Sequence, residues 1–276
     1  MLNRITPFAS KSIATIVLGL AGGLLSLTAA ASPLKVAVIG APPLASWNTD
    51  VQQKLLGTGK FTGVDVFDAH SGTPSLATME TYGAVLVYSD AGFANSFALG
   101  NNLADYVDAG GGVVVAVFAD ASVALGGRYV SGGYLGINPS GQTQGTELTL
   151  GTIHDPSSPI MAGVTSLDGG SSTWRSTGSV RAGSVVVADW LNGAPLVVTT
   201  PIGGHQTVAL NFYPPSSAVR SDFWNTSTQG GLLMANALDF SAGQRSDVPE
   251  PASLALFGLG VLGLAVSRRK RASQPA

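Results

Sequence analysis

Hydrophobic positions along this chain alternate between two periods. Leu34-Lys35-Val36-Ala37-Val38-Ile39 is a β-rich run closed by Gly40. Val64-Asp65-Val66-Phe67, Ala84-Val85-Leu86-Val87-Tyr88 and Val113-Val114-Val115-Ala116-Val117-Phe118 repeat the pattern. Near-continuous apolar runs of this length suit strands buried on both faces, as in a parallel sheet. Between them the period changes. Asp50 to Leu56 reads as a short helix behind the N-cap candidate Thr49. Asn95 to Ala109 reads as a longer one, with Phe97, Leu99, Leu103, Tyr106 and Val107 as its apolar stripe and Gly110-Gly111-Gly112 as its stop.

Beyond Phe118 the rhythm loosens. Residues 119–146 are rich in Gly and Ser and read as a long loop or insertion. Strands are expected at Leu148 to Ile153, Ser184 to Trp190, Pro195 to Thr200 and Gln206 to Phe212. The last two flank Gly203-Gly204, a hairpin signal. Thr228 to Phe240 closes the domain as a helix. This order predicts an α/β fold, a mostly parallel sheet flanked by helices in a flavodoxin-like sandwich with right-handed crossovers.

The two ends obey other rules. Residues 1–31 carry Arg4 and Lys11, an apolar stretch from Ile13 to Leu27, and Ala29-Ala30-Ala31 before Ser32. That is the charged, apolar and small-residue order of a signal peptide, with signal peptidase cutting after Ala31. The last 29 residues read Val-Pro-Glu-Pro-Ala-Ser, then an uncharged span over 252–266, then Ser267 and the cluster Arg268, Arg269, Lys270, Arg271. The span is about 15 residues, below the roughly 20 of a full crossing. It crosses a membrane with help from flanking residues and arginine stems, and the basic cluster is the membrane stop that stays cytoplasmic. The domain is expected over 32–243, with a linker at 244–247 and the tail at 248–276.

This tail resembles the PEP-CTERM sorting signal of Gram-negative bacteria. The resemblance implies recognition by an exosortase, a membrane cysteine protease, with Pro249, Glu250 and Pro251 as the sorting signal. It also implies transient anchoring in the inner membrane, then display at the cell surface or in the exopolysaccharide matrix.

With both ends set aside the chain, −2 overall, becomes more acidic. Residues 32–247 hold eight Lys/Arg and fifteen Asp/Glu, a net charge of −7. An acidic exported domain is a poor nucleic-acid binder. There is no cysteine, hence no disulfide, no thiolate metal site and no cysteine nucleophile.

The middle of the chain resembles the class I glutamine-amidotransferase-like fold, in its ThuA-like branch. The pieces are the strand Lys35 to Gly40, the helix end Tyr106-Val107-Asp108-Ala109-Gly110-Gly111-Gly112-Val113, the segment Ser158-Pro159-Ile160-Met161-Ala162-Gly163-Val164, the stretch from Pro195-Leu196-Val197-Val198 through Gly203-Gly204 to Asn211-Phe212, and Asn236-Ala237-Leu238 in the last helix. In catalytic members the nucleophile sits on the turn after the strand that follows the Gly-Gly-Gly. Here Phe118-Ala119-Asp120 holds that place. The resemblance therefore brings no catalytic residue, and a domain acting in binding or structure is expected.

Other candidate residues have ordinary roles beside the chemical ones. Asp68, Asp90 and Asp120 each follow a predicted strand, where ligands bind in open α/β sheets. Converging, they would hold Ca²⁺ or Mg²⁺ through oxygen ligands, and the alternative function is a carboxylate- or metal-dependent hydrolase acting on glycans. The ordinary role of such aspartates is to cap turns. His70, His154 and His205 form no i, i+4 ligand pair and read as turn residues. No Gly-x-Ser-x-Gly elbow follows any strand. Trp174, Trp190, Trp224 and Tyr213 are either a sugar-stacking platform or buried core.

Overall fold

The computed structural model describes residues 34–243. The expected signal peptide, linker, sorting tail, membrane span and basic stop lie outside the described residues.

The chain runs β1 (Leu34–Ala41), α1 (Ala45–Leu56), β2 (Phe61–Asp68), α2 (Leu76–Met79), β3 (Ala84–Ser89), α3 (Ser96–Asp108) and β4 (Gly112–Ala116). It continues with α4 (Gly127–Ser131), β5 (Gln142–Thr143), β6 (Leu150–Ile153), a 3-10 turn at Pro159–Met161, and β7 (Arg175–Ser176). It ends with β8 (Val185–Trp190), β9 (Pro195–Ile202), β10 (His205–Leu210) and α5 (Gly230–Ala242). Eight strands form one sheet in the order β2-β1-β3-β4-β10-β9-β8-β6. The first five are mutually parallel and the last three antiparallel. The α/β expectation therefore holds, with a mixed extension at one edge.

Each face has its own core, as the period of two along a strand requires. Val36, Val38, Leu86, Val114 and Leu210 meet Val51 and Leu55 of α1 and Leu233 and Leu238 of α5. Ala37, Ile39, Val85, Val87 and Val115 meet Leu99, Leu103 and Tyr106 of α3. Parallel strands with both faces covered explain why their sequence reads as unbroken apolar runs.

The boundaries have local causes. α3 begins where the Asn95 side chain accepts the Ala98 amide at 2.9 Å, a cap that contributes about 1 kcal/mol. It ends in a Schellman turn. Gly110 adopts φ +89°, the Gly110 amide donates to Val107 O, and the Gly111 amide to Tyr106 O, both at 2.8 Å. β9 and β10 form the expected hairpin, with Ile202 opposite His205.

Three local readings change. α1 begins at Ala45, not Asp50, and its N-cap Leu44 makes no side-chain bond. The segment 119–146 contains α4 and β5. The fourth strand stops at Ala116, so Val117 and Phe118 belong to the turn that follows.

Candidate functional site

The carboxyl ends of β1, β3, β4 and β10 converge on one pole of the sheet, where an open α/β sheet would bind a ligand. In this protein aromatic rings fill that pole. Tyr213, just beyond β10, is their hub and is 3% exposed. Its ring centroid lies 5.1 Å from Phe223, 5.3 Å from Phe118, 5.6 Å from Tyr88 and 6.1 Å from Trp47. Edge-to-face and tilted pairs at such distances are favourable arrangements of ring quadrupoles. At the carboxyl ends of β1 and β3, Asn48 ties the two strands together. Its Nδ2 donates to Gly40 O at 3.2 Å, and its Oδ1 accepts the Tyr88 hydroxyl at 2.5 Å.

The three aspartates singled out by the sequence meet different fates. Asp68 is exposed and spent on its own turn: Oδ1 accepts the His70 amide at 3.0 Å, and Oδ2 accepts the Ser71 hydroxyl at 2.8 Å. Asp90 is half-buried and accepts the Tyr213 hydroxyl at 3.4 Å. Burial pushes its pKa up, while the Tyr213 hydroxyl and the Arg220 guanidinium pull it down. The same pair acts on Tyr213, whose pKa is driven far up, mainly by burial and then by the neighbouring Asp90 charge.

Asp120 is wholly buried. Neither carboxylate oxygen has a hydrogen-bond partner among the described residues. Burial raises its pKa to about 7, and its own backbone amide, outside hydrogen-bond geometry, offsets this only in part. Phe118 and Ala119, at the turn where the resemblance places a nucleophile, are also buried. Trp174 covers Phe118 edge-on at 5.1 Å.

Polar groups around this turn hold the fold together. The Asn211 Oδ1 accepts the Ser176 amide at 2.6 Å, and its Nδ2 donates to Pro195 O at 2.8 Å. The Ser176 hydroxyl donates to Asp120 O at 3.2 Å. Asp50 is the second buried acid of this region, and it is satisfied: it accepts the Ser216 amide at 2.7 Å and the Ser216 hydroxyl at 3.0 Å. Among the described residues, no group of three or more His, Asp or Glu side chains is arranged to hold a metal ion. Of the proposed aromatic platform, Trp190, Trp224 and Tyr213 are core. The two indole N–H groups donate to Asn211 O at 3.0 Å and Pro214 O at 2.8 Å. Trp174 alone of the four keeps partial exposure. It follows Thr173, a β-branched residue at φ +26°, whose hydroxyl is anchored to Gly170 O at 2.7 Å.

One pair was missed by sequence reasoning. His154 Nε2 lies 2.6 Å from Asp189 Oδ2 at the antiparallel edge of the sheet. The two line a shallow pocket of about 520 Å³ with Val180, Val186, Gly193 and Pro195. The signal that would have found it is strand register, since Ile153 faces Ala188 across β6 and β8.

Comparison with known proteins agrees with both halves of the chain. Residues 247–270 match the PEP-CTERM protein-sorting motif. The fold is similar to the crystal structure of a putative ThuA-like protein from Parabacteroides merdae ATCC 43184, with 18% identity, 79% of this chain and 94% of that one covered, and a TM-score of 0.54. A second putative ThuA-like protein, from Bacteroides uniformis ATCC 8492, is similar at 15% identity, 79% and 95% coverage, and a TM-score of 0.51. No curated protein matches the sequence. The chain thus joins a domain of ThuA-like α/β fold to a PEP-CTERM protein-sorting motif, the mark of a surface protein processed by an exosortase.

Proposed function

We propose that the domain acts at the bacterial surface as a binding or structural module and not as a catalyst. One observation carries this reading. The turn after β4 offers Phe118, Ala119 and Asp120, all buried, under a layer of aromatic rings. A covalent catalyst needs a nucleophile that its substrate can reach, with a base beside it. The Asp120 carboxylate has neither access nor, among the described residues, a hydrogen-bond partner. The carboxylate-dependent alternative loses support for a related reason, since Asp68 is committed to its own turn.

In this reading, signal peptidase removes residues 1–31, the tail holds the chain in the inner membrane, and the exosortase cuts near Pro249-Glu250-Pro251. The released domain joins the exopolysaccharide matrix, and its net negative charge keeps it from nucleic acid. The test has two readouts on purified domain. Ammonia release from glutamine and reducing-end release from matrix glycans should both equal those of a heat-killed control. Turnover that disappears in Asp120→Asn would overturn the proposal.

A further inference from the structure

The two ends of the domain leave from a single pole. β1 opens at Leu34 and β2 at Phe61. The Gly83 amide, just ahead of β3, donates to Lys35 O at 2.9 Å, and the Gly112 amide, opening β4, donates to Gly83 O at 3.1 Å. These contacts place the amino ends of four parallel strands together. α5 finishes on the same spot. Ser241 and Ala242 press against Gly112 so closely that a Cβ there would stand 2.7 Å from the Ala242 nitrogen. Asp239 meets Lys60, the residue before β2, at 3.5 Å. The aromatic layer with Asp90, Tyr213 and Trp174 lies at the opposite pole, at the carboxyl ends of these strands.

Five residues lie between Gly243 and Pro249, six residue-to-residue steps. Fully extended, that length reaches only about 20 Å. We infer that, while the sorting tail is held in the membrane, the domain stands with the amino ends of its parallel strands toward the membrane and presents their carboxyl ends outward. The inference rests on the sorting-tail reading above and adds an orientation to it. A tether explains that orientation better than attraction to lipid headgroups does. Lys60 is paired with Asp239, and Lys35 with Asp65 at 2.8 Å, so among the described residues these two lysines of the pole form no free basic patch of the kind that binds anionic lipid. A partner of the anchored protein in the surrounding matrix therefore meets the pole of Asp90 and Trp174, while the membrane-side pole is left to the processing protease.

Because the chain has no cysteine, single cysteines report position cleanly. Glu80→Cys marks the membrane-side pole and Ala91→Cys the opposite pole, and both positions are exposed. The full chain carrying one fluorophore is reconstituted into vesicles that contain a headgroup-level quencher lipid. The probe at position 80 should be quenched several-fold more than the probe at 91. Equal quenching, or stronger quenching at 91, in protein that floats with the vesicles overturns the orientation alone. Protein that fails to float overturns the sorting-tail reading, and the orientation falls with it.

Discussion

The Tyr213 hydroxyl donates to the Asp90 carboxylate across 3.4 Å, joining two residues 123 positions apart in the chain. Asp90 follows β3 and Tyr213 follows β10, two strands with β4 between them. The bond therefore spans the end of β4 and ties down the aromatic layer over Phe118. Tyr213→Phe removes the hydroxyl and keeps the ring. It should cost about 1 kcal/mol, the net value of one such hydrogen bond. Tyr213→Ala also empties the centre of the ring cluster and should cost roughly 3–5 kcal/mol. Urea unfolding of the two variants checks the order. Equal losses would mean that the ring packing contributes little.

Asp120 makes stability depend on pH. Its pKa in the folded protein, about 7, lies above the unfolded value of 3.8. The folded state thus binds the extra proton, and its advantage is full below pH 3.8 and is lost as pH rises through about 7. At about 1.4 kcal/mol per pKa unit, the loss is roughly 4 kcal/mol at most. Asp120→Asn keeps the shape and removes the titration. Unfolding free energies at mildly acid and mildly alkaline pH should differ in the natural protein and converge in the variant. An unchanged slope in Asp120→Asn would assign the pH dependence elsewhere.

Calcium distinguishes a metal site from ordinary turns. A ligand that binds only the folded state raises the melting temperature by mass action. Asp68 is occupied by His70 and Ser71, and Asp120 is sealed from solvent. Calcium should therefore give the same small shift in the natural protein and in Asp120→Asn. A clear rise in the natural protein that vanishes in the variant would restore the carboxylate set as a site.

The spacing between domain and tail should control processing. Removing Gln244 to Ser246 halves the reach from Gly243 to Pro249, from six residue-to-residue steps to three. Exosortase cleavage of that variant in cells should fall sharply, and a Gly-Ser insert of equal length should restore it. Mass spectrometry of the surface protein reads both. Undiminished cleavage of the shortened chain would show that the domain does not limit access to the motif.

What could be read from sequence follows from what each signal measures. β1, β3 and β4 are central strands, and burial on both faces writes them as apolar runs. The stop after α3 is legible because Gly110 must adopt a left-handed φ. The start of α1 is not, because Leu44 offers no capping oxygen and the helix is anchored by Trp47, Val51 and Leu55 packing into the core. Strand-end positions located Asp68, Asp90 and Asp120, but periodicity says nothing of depth. Asp68 is settled locally by its own turn, whereas the long-range approach of Phe118, Trp174 and Tyr213 leaves Asp90 at a rim and Asp120 in the interior. The His154–Asp189 pair depends on antiparallel register between β6 and β8, and the shifts in that pairing hide it further.

The crowding of Gly112 against Ala242, with Leu34 opening at the same end of the sheet, gives the domain the geometry of a cassette. Termini that emerge side by side let a fold be spliced into another polypeptide, or be given a new leader and tail, without disturbing its interior. Secretion and attachment signals can thus be exchanged on this scaffold while the far pole, with Asp90 and Tyr213, stays unaltered. Address and strand-end pole are separate parts of this molecule, free to evolve at different rates.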